Sequence, residues 1–131
     1  MMQMSAEMAL QGRHILVVDD EESIRILVSS GLSQRGAHVT VLGDGADLDQ
    51  LKPEVLLGID AVITDVVMPR IGGPALAQRL RSIRPDLPIL FMTGFVDALR
   101  LGDSLALPKT ALVDKPFRLD HLFGQLVDLL G

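Results

Sequence analysis

The sequence predicts an α/β domain built on an open parallel sheet with helices on both sides. Three observations carry this. Five short β-like runs alternate with helical stretches along 131 residues. The first, third and fourth runs are near-continuously apolar, as strands covered on both faces are. The stretches between them carry helical stripes, and strand–helix alternation of this kind builds parallel sheets.

The elements follow in order. His14–Val18 reads as the first strand, and Ile24, Leu27, Val28, Gly31 and Leu32 then recur at helical spacing. Ala37–Leu42 is the second strand, followed by a helix over Ala46–Leu56 that Pro53 interrupts. Ala61–Asp65 is the third strand. Leu76, Leu80 and Ile83 mark the next helix, opened by Pro74 at a favoured first-turn position. Pro88–Thr93 is the fourth strand, Val96–Leu107 a further helix and Ala111–Asp114 the fifth strand. Leu119, Leu122, Phe123, Leu126 and Leu130 place a last helix at the end. Residues 1–12 read as a flexible N-terminal lead-in, since four methionines fall there without periodicity. They also lack the basic start and sustained apolar core of a signal peptide. Residues 13–131 form one domain, as the length predicts.

Composition narrows the function. The chain is 48% hydrophobic and 22% charged, and no apolar run approaches the roughly 18–20 residues of a membrane span. Twelve Lys and Arg against seventeen Asp and Glu leave a net charge of −5, which argues against direct nucleic-acid binding. There is no cysteine, so disulfides and thiolate metal sites are excluded, and a cytoplasmic location is expected.

The chemistry collects at strand ends. Ala61-Val62-Ile63-Thr64-Asp65 is an apolar run that ends in a carboxylate and breaks into Val66-Val67-Met68-Pro69 and Gly72-Gly73. Ile15-Leu16-Val17-Val18 runs likewise into Asp19-Asp20-Glu21. In open α/β sheets the site lies beyond the carboxyl ends of the strands, so Asp19, Asp20 and Asp65 converge there. Two carboxylates about 4 Å apart repel by about 4 kcal/mol at an effective dielectric near 20, and three need a cation. An all-oxygen, carboxylate-rich set suits Mg²⁺, with Mn²⁺ as an alternative. The fifth strand ends in Val113-Asp114-Lys115-Pro116-Phe117 and adds an ammonium; the fourth ends in Phe91-Met92-Thr93-Gly94 and adds a hydroxyl. Carboxylate nucleophile, divalent metal, ammonium and hydroxyl together describe a phosphoryl-transfer site. Plainer readings stand beside this one. Asp19-Asp20-Glu21-Glu22 also reads as a helix cap and acidic first turn, Asp65 as a turn residue, Lys115 as a solvated loop lysine and Thr93 as a packed strand residue.

Taken together, the acidic pair Asp19-Asp20, Asp65-Val66-Val67-Met68-Pro69 with Gly73, Thr93, and Lys115-Pro116-Phe117 resemble the receiver domains of bacterial two-component response regulators. The similarity covers Arg13 to Leu130. The resemblance implies a flavodoxin-like three-layer αβα sandwich with five parallel strands in the order 2-1-3-4-5. It implies that Asp65 accepts a phosphoryl group from a phosphohistidine on a sensor histidine kinase or histidine phosphotransfer protein. Asp20 and Asp65 would hold Mg²⁺ through their side chains, Val67 through its backbone carbonyl and Asp19 largely through water. Lys115 would pair with Asp65 and then with the phosphoryl oxygens, while Thr93 moves toward them. The domain would act as a signalling phosphoacceptor, catalysing only its own phosphorylation and dephosphorylation, and Lys115–Pro116 is a candidate cis peptide. The stretch from Thr64 to Phe95 also resembles C-terminal receivers of hybrid sensor kinases.

Two rival readings fit the residues less well. A haloacid-dehalogenase-type phosphohydrolase needs Asp-x-Asp on the first strand, whereas Asp19 and Asp20 are adjacent, so their side chains diverge. A flavin carrier needs a Ser/Thr/Gly-rich phosphate loop where this chain has Asp-Asp-Glu-Glu.

The chain departs from the family at two points. The position three before Lys115 is often aromatic, but here it is Leu112, so a switch with a polar aromatic tip is excluded. Val67 and Phe95, two residues after Asp65 and Thr93, are apolar where the family tunes phosphoryl lifetime. Neither can orient a water for attack, and slow self-dephosphorylation follows. Val67→Asn or Phe95→Glu should speed the decay of phospho-Asp65; an unchanged decay rate in both variants contradicts this.

Overall fold

Five parallel strands run side by side: β1 (His14–Val18), β2 (His38–Leu42), β3 (Ala61–Asp65), β4 (Ile89–Thr93) and β5 (Thr110–Asp114), in the order β2-β1-β3-β4-β5. The computed structural model describes residues 9–94, 101–102 and 107–131. The helices among them are α1 (Glu22–Gln34), α2 (Pro53–Gly58), α3 (Gly73–Ile83) and α4 (Leu119–Leu130), with a short 3₁₀ helix at Gly45–Gln50. Phe95 and most of the expected helix Val96–Leu107 lie outside the described residues, although Leu101 within it is buried.

Alternation along each strand sends neighbouring side chains to opposite faces. Leu16, Val18, Val62, Ile89 and Phe91 bury against Leu48, Leu76 and Leu80 on one side. Ile15, Val17, Ile63, Leu90, Met92 and Val113 bury against Val28 and Leu32 of α1 and Leu122, Phe123 and Leu126 of α4 on the other. Both faces are covered, which is why the strands read as unbroken apolar runs.

Two expectations need correction. The helix expected over Ala46–Leu56 is two pieces, because Pro53 opens α2 at its first turn and Lys52 before it is extended (φ −70°, ψ 148°). A residue before proline is pushed out of the helical region, so the 3₁₀ helix cannot run through. The expected lead-in also ends earlier than residue 12. Leu10 is fully buried among the α1 and α4 side chains, and the amide of Gly12 donates to the Gly36 carbonyl at 2.9 Å. Residues 9–12 therefore pack with the domain, and an apolar side chain is what holds them there.

Register positions the site. Val18 pairs with Thr64, so Asp19 and Asp65, each one residue further, emerge side by side at the carboxyl edge. Thr93 pairs with Asp114, and the amide of Lys115 donates to the Thr93 carbonyl at 2.7 Å. The strand ends thus deliver two carboxylates, a hydroxyl and an ammonium to one edge.

Candidate functional site

Asp19, Asp20 and Asp65 each bring a carboxylate oxygen to within 4.8 Å of the others. Their exposures differ sharply. Asp19 is fully buried and Asp65 7% exposed, while Asp20 stands at the solvent-facing mouth. Adjacent residues at a strand end point apart, so the first two aspartates cannot both turn inward.

Lys115 supplies the cation. Its Nζ lies 3.1 Å from Asp19 Oδ2, 3.4 Å from Asp65 Oδ2 and 3.9 Å from Glu21. Lys115 thus pairs with both Asp19 and Asp65, Asp19 being the closer. Asp19 Oδ1 accepts from the Glu21 amide at 2.8 Å, and the Asp19 carbonyl accepts from Arg25 Nη1 at 2.7 Å. Arg25 was not anticipated, because a helix arginine outside the motifs carries no signal in the sequence. Glu22 occupies the first turn of α1, where an acidic residue favours the helix dipole.

Asp65 Oδ1 accepts from the Val66 amide at 2.9 Å. Its carboxyl is pushed up to about 6 from 3.8, first by burial and then by the charge of Asp19. Lys115 and the Val66 amide pull the other way without prevailing, as expected when the ammonium hydrogen-bonds to Asp19 first. Lys115 itself is held above its ordinary value. Burial works against its charge, but the hydrogen bond and charge of Asp19, then the charges of Asp65 and Glu21, outweigh it.

Gly73 sets the approach of α3. A Cβ there would stand 2.4 Å from the Asp65 carbonyl oxygen, so any side chain would push α3 off the strand end. Thr93 is fully buried, and its hydroxyl donates to the Gly94 carbonyl at 2.9 Å. It shares the edge with Asp65, and its described hydrogen bond turns to the backbone. Val67 is 36% exposed two residues after Asp65, and Leu112 is half-buried against the core on the Phe91 side of the sheet. The Lys115–Pro116 bond is cis.

The donor set fits a hard divalent cation. Among the described residues, three carboxylates meet one ammonium, leaving an excess of negative charge, and every candidate ligand atom is oxygen.

A family model described as the response regulator receiver domain matches residues 15–127. The chain belongs to this family. Receivers are therefore its relatives by sequence and by shape. It is 33% identical over 118 residues to the response regulator receiver protein CpdR of Brucella abortus, covering 90% of this chain and 97% of that protein. It is 30% identical over 116 residues to the sensor kinase CckA of the same organism, covering 88% of this chain but 12% of the kinase. The crystal structure of a response regulator receiver protein from Sinorhizobium medicae superposes with a TM-score of 0.77 at 30% identity, covering 92% of this chain and 96% of that one. The receiver family and its phosphoacceptor function leave the phosphohydrolase alternative unfavoured, and the inward Asp19 beside the outward Asp20 agrees. Among the described residues, no helix is long and apolar enough to cross a membrane.

The raised carboxyl of Asp65 has a consequence for stability. The folded receiver binds that proton more tightly than the unfolded chain does, so the stability this group contributes is lost as pH rises from about 4 through about 6. In metal-free protein, Asp65→Asn should therefore stabilise the fold by about 1–2 kcal/mol at pH 7, after allowance for screening at the open mouth. Urea unfolding should show the gain vanish below pH 4; a pH-independent gain contradicts the assignment.

Proposed function

We propose that Asp65 is the phosphoacceptor of this receiver and takes its phosphoryl group from a phosphohistidine on a sensor histidine kinase or histidine phosphotransfer protein. The supporting observation is that a carboxylate, two acidic neighbours and one ammonium meet at a single strand edge. An Asp65 oxygen attacks phosphorus in line, the P–N bond breaks, and the imidazole leaves with the bonding pair. The product is an aspartyl phosphate, and at neutral pH the attacking carboxyl, titrating at about 6, is mostly ionised.

Asp20 and Asp65 would hold Mg²⁺ through side chains, with the Val67 carbonyl, and Asp19 through water. When bound, the ion supplies charge neutralisation on the transferring oxygens. Lys115 adds its ammonium to the same task. It exchanges part of its pairing with Asp19 and Asp65 for the incoming phosphoryl oxygens, at little cost in reorganisation because it is already in place. Thr93 turns its hydroxyl from the Gly94 carbonyl toward the phosphoryl group, and Leu112 and the Phe91 side of the sheet relay the change. The domain acts in the cytoplasm through protein contacts, with no role for nucleic acid or membrane, and as a switch whose chemistry stops at its own phosphorylation and dephosphorylation.

Intact-mass measurement after incubation with a small acyl-phosphate donor tests this. A single Mg²⁺-dependent phosphoryl adduct is expected, labile to hydroxylamine and absent in Asp65→Asn. An adduct that persists in Asp65→Asn would contradict the assignment.

A further inference from the structure

The loop that follows the acceptor has a second anchor, away from Lys115. Asp44 stands just past β2, between Gly43 and Gly45, and is 4% exposed. Its Oδ1 accepts from the amides of Ala46 at 2.9 Å and Ile71 at 2.8 Å, and its Oδ2 from the amide of Arg70 at 2.9 Å. The first contact caps the 3₁₀ helix and is local. The other two cross to the loop between β3 and α3.

The rest of the contact is as close. The Gly45 amide donates to the Ile71 carbonyl at 3.2 Å, and a Cβ on Gly45 would stand 2.6 Å from that oxygen. Glycine is what lets the two loops meet. Arg70 closes the outside with an ion pair to Asp47 at 2.5 Å. Burial would raise the carboxyl of Asp44, but the amides of Ala46, Arg70 and Ile71 and the Arg70 charge outweigh it, so it sits below the usual carboxylate range. A turn alone would use one acceptor contact. Here a buried charge is spent on two foreign amides.

The loop is also tied at its ends. The Val66 amide donates to the Met92 carbonyl at 3.1 Å, and the Gly73 amide to the Val66 carbonyl at 2.8 Å. Val67, Met68 and Pro69 are thus suspended between Val66 and the pair that Asp44 holds. No described hydrogen bond or ion pair joins Asp44 to Asp19, Asp20, Asp65 or Lys115.

We propose that Asp44 is a positioning residue of the phosphoacceptor site: by gripping Arg70 and Ile71 it sets the path of the Val67–Pro69 backbone, and with it the affinity of the site for its divalent cation. The proposal rests on reading Asp65 and its neighbours as the metal-holding site.

Mg²⁺ titration followed by NMR, on wild type and two variants, tests it. Asp44→Ala should weaken Mg²⁺ by about 10-fold or more, the range seen when groups that orient metal ligands are removed. Asp44→Asn keeps one acceptor oxygen but turns an amide toward a backbone donor, so it should fall between and serves if the alanine variant does not fold. Leu126→Ala, on the buried face of α4, should lower the unfolding midpoint without moving the Mg²⁺ dissociation constant. In metal-free protein, the Arg70 and Ile71 amides should exchange faster in both Asp44 variants. Wild-type binding with variant dissociation constants within twofold of it would overturn the positioning role alone. Absence of Mg²⁺ binding in the wild type would overturn the role and the site together.

Discussion

The ion cluster at the carboxyl edge is the constraint on which the rest depends: one ammonium between two buried carboxylates, with a third at the mouth. Such a cluster opposes folding. Burying charge costs several kcal/mol per ion, and neighbouring carboxylates add their repulsion. Lys115 relieves this only in part, because it is shared and favours Asp19. The imbalance appears at Asp65, whose carboxyl clings to its proton up to about 6. A site that is short of positive charge favours a cation, and the fold tolerates the deficit because two apolar layers pack the sheet beneath it.

The geometry of the cluster follows from strand register more than from any loop. Once Val18 is level with Thr64 and Thr93 with Asp114, the residues after them have no choice but to meet. The loops refine that meeting. Glycine at position 73 lets α3 sit on the Asp65 carbonyl, and Asp44 ties the loop after Asp65 to its neighbour. The relatives fit this division. CpdR spans nearly the same length as this chain, whereas in CckA the matching region is a small part of a longer kinase.

Much of this was legible in the sequence, for physical reasons. Strands buried on both faces leave unbroken apolar runs, so β1, β3 and β4 could be read with their terminal carboxylates. Pro74 and the stripe Leu76, Leu80 and Ile83 announced α3 as clearly. What could not be read was long-range. Leu10 looked like part of a lead-in because one apolar residue has no period, and only its pocket between α1 and α4 reveals it. Nothing local told Lys115 to prefer Asp19 over Asp65, since that depends on fractions of an ångström. Asp44 belongs to no motif, and two of its three amide contacts lie in a loop that nothing in its local sequence points to.

The central claim is that the strand edge holds an uncompensated charge that a divalent cation completes. Thermal unfolding across a Mg²⁺ titration at neutral pH measures this directly, since a ligand that binds only the folded state raises stability by about 2.7 kcal/mol at a hundred times its dissociation constant. The midpoint should climb steadily with Mg²⁺ in the wild type and much less in Asp65→Asn. A midpoint that ignores Mg²⁺, or that climbs equally in both proteins, would contradict the account.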